Sequence, residues 1–419
     1  MKNILTFLSL FYIVTYAQPA TRVPLLSEIN IVPADSAYLA YYSYRIPSNS
    51  FVFVKDGKDY SANYRITIEV SDTASTFVDR RIDEKKIYTA NFDETTSIKT
   101  FNEGVFQFKL HEGKYIFTTI VADLNSHHEY KLKPKEVAIQ NITGKIFLKP
   151  IIINSSDNGY SGKFRLTNFA GDVPFSEEEY NFVFPCTDTS VTDILVEVIS
   201  NSDTVYQNKL SDSFTSRLFF QDKNGSVIVS NGGQAKITKN FLLKGLSSKL
   251  PEGKLIVILS DPAKQVSLQK FDMKVEWFNK PVSLMNPENA IKFLEVIDKR
   301  SVVNELLSGN RDDYEKKLFN YWKKLDPTPN SQFNPLMEEY YERVDYALKH
   351  FYTLTRKRRE IITDRSKVYI KYGEPSEIER AYNQYGKSIE TWIYKKPSMK
   401  FDFLDTDGTG NFILVKNNE

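Results

Sequence analysis

Between residues 26 and 140 apolar and polar positions alternate in short runs separated by turn formers. Residues 37–44, 51–54, 64–70 and 105–110 each show the period of two that sends successive side chains to opposite faces of a sheet, and Lys55-Asp56-Gly57-Lys58 supplies a turn. Strands at this spacing, without a helical period, predict an antiparallel β-sandwich of immunoglobulin-like (Ig-like) kind. The same texture continues from Ile142 to Lys280, so a second sandwich is expected there. An internal echo links the two: Leu110-His111-Glu112-Gly113-Lys114-Tyr115-Ile116 recurs as Leu250-Pro251-Glu252-Gly253-Lys254-Leu255-Ile256. In each copy the glycine makes a tight turn, a strand runs on to Asp123 or Asp261, and a last strand follows at 136–139 or 273–277. Two copies are fewer than a solenoid needs, which favours tandem sandwiches.

Past Lys280 the period becomes helical. Asn286-Pro287 reads as a cap followed by a first-turn proline, with Ala290, Ile291, Leu294 and Ile297 and then Val302, Val303, Leu306 and Leu307 at helical spacing up to Ser308-Gly309-Asn310. A second helix carries Tyr314, Leu318, Tyr321, Trp322 and Leu325 and is broken by Asp326-Pro327-Thr328-Pro329. The third, opened by Asn334-Pro335, places Leu336, Tyr340, Tyr341, Val344, Ala347, Leu348 and Phe351 on one broad face. At 362–375 Val368, Ile370 and Tyr372 alternate with Lys367, Tyr369 and Lys371, predicting a turn and then a strand that stops at Gly373 and Pro375. Ser376-Glu377-Ile378-Glu379 reads as the capping box of a short helix, and strands are expected at 390–394, 399–404 and 411–415, the last two joined through Asp405-Thr406-Asp407-Gly408-Thr409-Gly410. The expected fold class is therefore multidomain: two tandem antiparallel Ig-like β-sandwiches, a helical segment and a small C-terminal α+β domain. The divisions are a leader at 1–17, sandwiches at 18–141 and 142–280, and a last domain at 281–419 with helices in 287–352 and its α+β part in 360–416.

Composition changes this picture little. Twenty-nine Phe and 25 Tyr suit β-rich structure, and a formal net charge of +2 gives no reason to expect nucleic acid as partner. The N-terminus says more. Lys2, the apolar run from Ile4 to Val14 and the small residues of Thr15-Tyr16-Ala17 predict a signal peptide cleaved after Ala17, hence export, and no later stretch is long and apolar enough to span a membrane. Cys186 is the single cysteine, so no intrachain disulfide can form, and its apolar neighbours predict a buried thiol.

Catalytic patterns are sparse. Four histidines leave little material for general-base or zinc chemistry, and His127, His128 and Asp123 come from one short polar segment that reads as a loop. The chain holds neither a Gly-x-Ser-x-Gly elbow nor a phosphate-cradling loop. Asp405, Asp407 and Thr409 imitate the start of a calcium loop, but its twelfth position is Lys416, where a bidentate Glu is needed. No catalytic residue, metal or cofactor is assigned. Arg356-Lys357-Arg358-Arg359 is the strongest charge run and a candidate dock for an anionic partner.

A wider set of residues resembles a known family. Tyr321-Trp322, Leu325-Asp326-Pro327-Thr328-Pro329, Asn334, Glu339-Tyr340-Tyr341-Glu342-Arg343-Val344, Thr363-Asp364-Arg365, Val368-Tyr369-Ile370, Tyr372-Gly373 and Pro375 together are similar to the GWxTD domain of bacterial envelope proteins. Glu360-Ile361 stand where the family has Gly-Trp. The resemblance implies an envelope location, in the periplasm or on the outer surface of a Gram-negative bacterium. It brings no established catalytic residue or substrate. Trp322, Asp326, Pro327, Pro329, Tyr340, Tyr341, Thr363, Asp364, Arg365, Tyr372, Gly373 and Pro375 are then expected in mainly structural roles, Thr363 and Asp364 as turn formers with Asp364 pairing Arg365.

The expectation for function is an exported, non-enzymatic binding or scaffold module whose partner is another envelope protein or an envelope polymer. Two rivals remain. One binds carbohydrate through exposed Tyr38, Tyr42 and Tyr44; the other is a hydrolase of an envelope polymer using Asp364, Glu374, Asp402 and Asp405.

Overall fold

The structure is a computed structural model and describes residues 25–140, 147–154, 163–262, 269–351 and 362–418. It is mostly β, with several sheets and a few helices. The leader and Arg356-Lys357-Arg358-Arg359 lie outside the described residues. None of the described helices is long and apolar enough to cross a membrane.

The chain forms two compact units. The first takes the described residues up to 140 together with Leu218–Ile228 and Gly232–Lys236. Its strands are β1 (Leu26–Pro33), β2 (Tyr38–Pro47), β3 (Val54–Asp56), β4 (Asp59–Asp72), β5 (Phe77–Thr89), β6 (Phe101–Leu110), β7 (Gly113–Asp123), β8 (His128–Lys131) and β9 (Lys135–Ile139), with a one-turn helix α1 (Phe92–Thr95). β1, β2 and β6 make one sheet; in the other β4 joins β3, β5 and β7, and β7 joins β8 and β9. Ala40, Tyr42, Tyr44 and Phe108 from the first sheet share one core with Tyr64, Ile66, Ile68 and Phe117 from the second. β2 is buried on both faces because its apolar run is nearly unbroken: Tyr42 and Tyr44 fill that core while Tyr41 packs 4.8 Å from Phe220. The strand expected at 51–54 shrinks to its last residue, since 48–50 coil into a single 3₁₀ turn.

The second unit begins with β10 (Ile151–Asn154), β11 (Lys163–Arg165), β12 (Val173–Pro174), β13 (Tyr180–Cys186), β14 (Ile194–Ser200), β15 (Asp203–Leu210), β16 (Ser213–Lys223), β17 (Ser226–Asn231), β18 (Ile237–Leu243), β19 (Gly253–Ser260) and β20 (Gln269–Glu276), parts of β16 and β17 being counted with the first unit. The echo seen in the sequence is an echo of pairing. The order β5-β4-β7-β9 in the first unit matches β15-β14-β19-β20 in the second, and Gly113 opposite Ile139 corresponds to Gly253 opposite Val275. Cys186 is buried in β13.

Helices α2 (Pro287–Phe293), α3 (Arg300–Leu306), α4 (Tyr314–Lys323), α5 (Pro335–His350) and α6 (Asp364–Tyr372) follow, then β21 (Glu377–Tyr382), β22 (Ser388–Lys395), β23 (Ser398–Asp405) and β24 (Phe412–Asn418), paired in that order. The apolar core of the second unit continues from β13, β14 and β19 into α2, α4 and α5 without a break. Asn286 and Asn334 cap α2 and α5 as expected, each followed by proline. The helix read continuously from 287 to 307 is instead two, divided by a 3₁₀ turn at 294–296 and by Asp298-Lys299.

Two local expectations are overturned. Residues 364–372 form α6, not a strand. Val368 packs with Trp392 and Phe403 in the core of the last sheet, whereas Ile370 belongs to the core built on α4 and α5. A helix wedged between two cores carries apolar residues on two faces, and over one short stretch that spacing imitates strand alternation. Residues 377–382 form β21 rather than a capped helix, and Ser376 Oγ accepts from Lys395 N across the sheet.

Candidate functional site

The family-like residues gather in two places in the second unit. At the first, Trp322 on α4 meets Tyr340 and Tyr341 on α5, with ring centroids 5.1 and 5.8 Å away. Each phenol is anchored: Tyr340 Oη donates to Phe293 O at 2.6 Å and Tyr341 Oη to Ala290 O at 2.9 Å, which ties α2 to α5. Burial raises the pKa of both phenols, so they remain neutral donors. The loop between α4 and α5 is fixed in the same manner. Asp326 Oδ1 accepts from Thr328 N and Oγ1, Asn334 Nδ2 donates to Trp322 O at 2.9 Å, and Asn334 Oδ1 caps α5. Pro327 and Pro329 keep that loop from continuing the helix.

At the second place, Thr363 caps α6 by accepting from Ser366 N at 3.1 Å. Asp364 Oδ2 accepts from Leu414 N at 3.1 Å and its other oxygen pairs with Lys367 at 3.0 Å, so the expected Asp364–Arg365 pair is replaced. Arg365 turns inward instead. Its guanidinium lies 3.5 Å from Glu390 Oε1, donates to Gly410 O and covers the Phe412 ring at 4.2 Å. Burial lowers the Arg365 pKa and Glu390 opposes that shift. Glu390 was not singled out from the sequence, because it sits in an ordinary strand pattern; it also accepts from Trp392 Nε1 at 2.7 Å and from Arg380. Tyr372 packs on Phe401, and Gly373 leaves α6 with φ +80°, its carbonyl accepting from Tyr394 Oη at 2.9 Å. Pro375 lies in the short connection to β21.

A recess in this unit lies beside the first node. It is a cleft of about 570 Å³, floored by Phe175, Trp277, Leu318, Phe319 and Met337. Phe175, Trp277 and Phe333 form a mutual edge-to-face set with centroids 5.2–5.7 Å apart. Lys280 Nζ bonds Glu252 Oε2 at 2.9 Å on the rim, above the Trp277 ring, and Glu315 and Lys316 add charge of both signs. A smaller recess of about 40 Å³ adjoins Trp322, Asp326, Pro329 and Asn334. Sequence reading missed the cleft because its wall joins residues near 175, 252, 277 and 318, which no local pattern connects.

Tyr42 and Tyr44 are core residues, so Tyr38, Tyr42 and Tyr44 do not form a solvent-facing strip. Asp402 accepts from Thr391 Oγ1 at 2.6 Å and Asp405 from Gly408 N and Gly410 N, which closes the β23–β24 loop. Glu374 falls between α6 and β21. Asp123 holds Val52 N, Asn125 N and Ser126 N, and His127 and His128 sit in the β7–β8 turn.

No curated protein matches the chain. Among solved structures it is similar to the C-terminal domain of the Streptococcus pyogenes antigen I/II-family protein AspA at 7% identity and a TM-score of 0.18, over 60% of this chain and 98% of that one, a likeness too slight to carry an argument. Residues 262–419, which hold α2 to α6, the last sheet and both nodes, match the GWxTD domain, and the chain is therefore a GWxTD domain-containing protein.

Proposed function

We propose that this is an exported envelope protein, of the periplasm or outer surface of a Gram-negative bacterium, that binds rather than transforms its partner. Two tandem Ig-like sandwiches carry the GWxTD domain, and the partner is another envelope protein or an envelope polymer. The observation that supports this reading is the cleft beside α4: an aromatic and aliphatic floor of about 570 Å³ with charges of both signs at its rim is the composition of a recognition surface. The polar residues of the family pattern support it in another way, since Thr363, Asp364, Asp326 and Asn334 each bond a backbone group of the domain itself. The basic run 356–359 adds a second contact for an anionic group on the same partner.

A photo-crosslinking side chain at Asn320, on the cleft wall, tests the reading in cells. A discrete adduct is expected, lost in a Phe319→Glu background and absent when the crosslinker replaces exposed Tyr382. Equal labelling at both positions overturns the cleft as the contact. Turnover of an envelope polymer or ester by the purified protein, abolished by Asp402→Asn or Asp405→Asn without loss of fold, overturns the non-enzymatic reading in favour of the hydrolase.

A further inference from the structure

β5 is thirteen residues long and, among the described residues, pairs only with β4, so one backbone edge is open. Natural edges of this length are blunted with charge, and this strand is heavily charged: Phe77-Val78-Asp79-Arg80-Arg81-Ile82-Asp83-Glu84-Lys85-Lys86-Ile87. The order of the charges is the informative feature. It inverts about Ile82, with Asp79 matching Lys85, Arg80 matching Glu84, and Arg81 matching Asp83 at equal distances on either side.

We propose that β5 is the dimerisation edge of this protein, pairing antiparallel with β5 of a second copy about a two-fold axis at Ile82. In that register every charged residue from Asp79 to Lys85 faces one of opposite sign, Ile82 faces Ile82, and Phe77 faces Ile87. Backbone hydrogen-bond parity allows a two-fold strand pair to shift only so that some residue still faces its own copy. Moving the axis to Asp83 sets Arg80 against Lys86 and Arg81 against Lys85. Moving it to Arg81 sets Asp79 against Asp83 and Arg81 against itself. A parallel, in-register pair sets every charge against its like. The charges that blunt the edge toward other strands thus select one arrangement, which closes as a dimer rather than propagating.

The intrachain pairs to β4 extend this arrangement, while Arg81 and Asp83, 3.1 Å from Asp79 and 3.9 Å from Lys85 on their own strand, exchange these same-strand contacts for cross-axis ones. Arg80 lies opposite Glu69 on β4 and bonds it, and Glu84 lies opposite Arg65 and bonds it at 2.6 Å. Joining the two copies places Glu69, Arg80, Glu84 and Arg65 in one row of alternating sign across four strands. Phe77 is 64% and Ile82 55% exposed, so the pairing also covers apolar surface. Lys85 is already engaged by Asp222 and the Glu103 carbonyl, which makes Arg80–Glu84 and Arg81–Asp83 the determining pairs.

Sedimentation and light scattering of the full chain should show a concentration-dependent dimer that weakens as salt rises. Arg81→Asp should weaken it at least about tenfold, and Arg81→Asp with Asp83→Arg should recover most of the loss, because that exchange restores opposite charge across the axis. Ile82→Cys should give a disulfide-linked dimer on mild oxidation, whereas Ile98→Cys, also exposed, should not. A monomer at all accessible concentrations, a dimer indifferent to Arg81→Asp, or equal crosslinking at 82 and 98 each overturns the proposal.

Discussion

Single residues in this protein carry burdens that only their surroundings reveal. Gly373 ends α6 at φ +80°, and an added Cβ would stand 3.2 Å from the Arg343 guanidinium. Gly373→Ala therefore combines backbone strain with crowding and should cost about 1–3 kcal/mol of stability in denaturant titration. Asp172 shows a different effect. Its carboxylate is buried 3.4 Å from Lys274 Nζ, and burial, aided by a hydrogen bond with Glu276, pushes its pKa up to about 7 from an ordinary 3.8. The folded state then holds a proton that the unfolded state releases, so this site favours folding at low pH, and that contribution declines as pH rises from about 4 to about 7. Asp172→Asn should remove the dependence: the melting temperature of the variant relative to wild type should be higher at pH 8 than at pH 5. An unchanged difference between the two pH values would contradict the assignment. Neither role was legible from sequence, since both depend on what approaches from more than twenty residues away.

At the scale of elements, the caps of α2 and α5 were legible and the identities of α6 and β21 were not. Asn286 and Asn334 announced their helices because cap and proline act within a few residues. α6 deceived because its apolar residues serve two cores, one around Trp392 and one around α4 and α5, so its pattern is that of a two-faced wedge. Thr363 is the local signal that identifies it, accepting from Ser366 N in a helix cap rather than a loop turn. Thr363→Ala should lower stability by about 0.5–2 kcal/mol, and Thr363→Ser should recover most of it; a null effect of the alanine change would show that the cap contributes nothing. β5 was missed for the opposite reason. Its charges mask strand periodicity, and only pairing with β4 along its length makes it a strand.

For the whole molecule, a single cysteine buried in β13 leaves stability to packing and hydrogen bonds. The melting temperature should therefore be the same with and without reductant; a shift would point to a thiol or disulfide contribution that this fold does not contain. What the sequence by itself determined is whatever works over short range or by composition: the β-rich texture, the caps of α2 and α5, the turn signals, the repeated Glu-Gly-Lys start of β7 and β19, and a spaced residue pattern specific enough to indicate the GWxTD domain. Tertiary structure alone decided that 364–372 is helical, that Tyr42 and Tyr44 are core rather than binding surface, that Arg365 seeks Glu390 instead of its neighbour Asp364, and that a cleft opens between residues scattered from 175 to 337. The reason is physical. Hydrogen bonds to nearby backbone groups and side-chain periodicity are fixed by covalent neighbours, whereas burial and ion pairing depend on which distant surfaces meet.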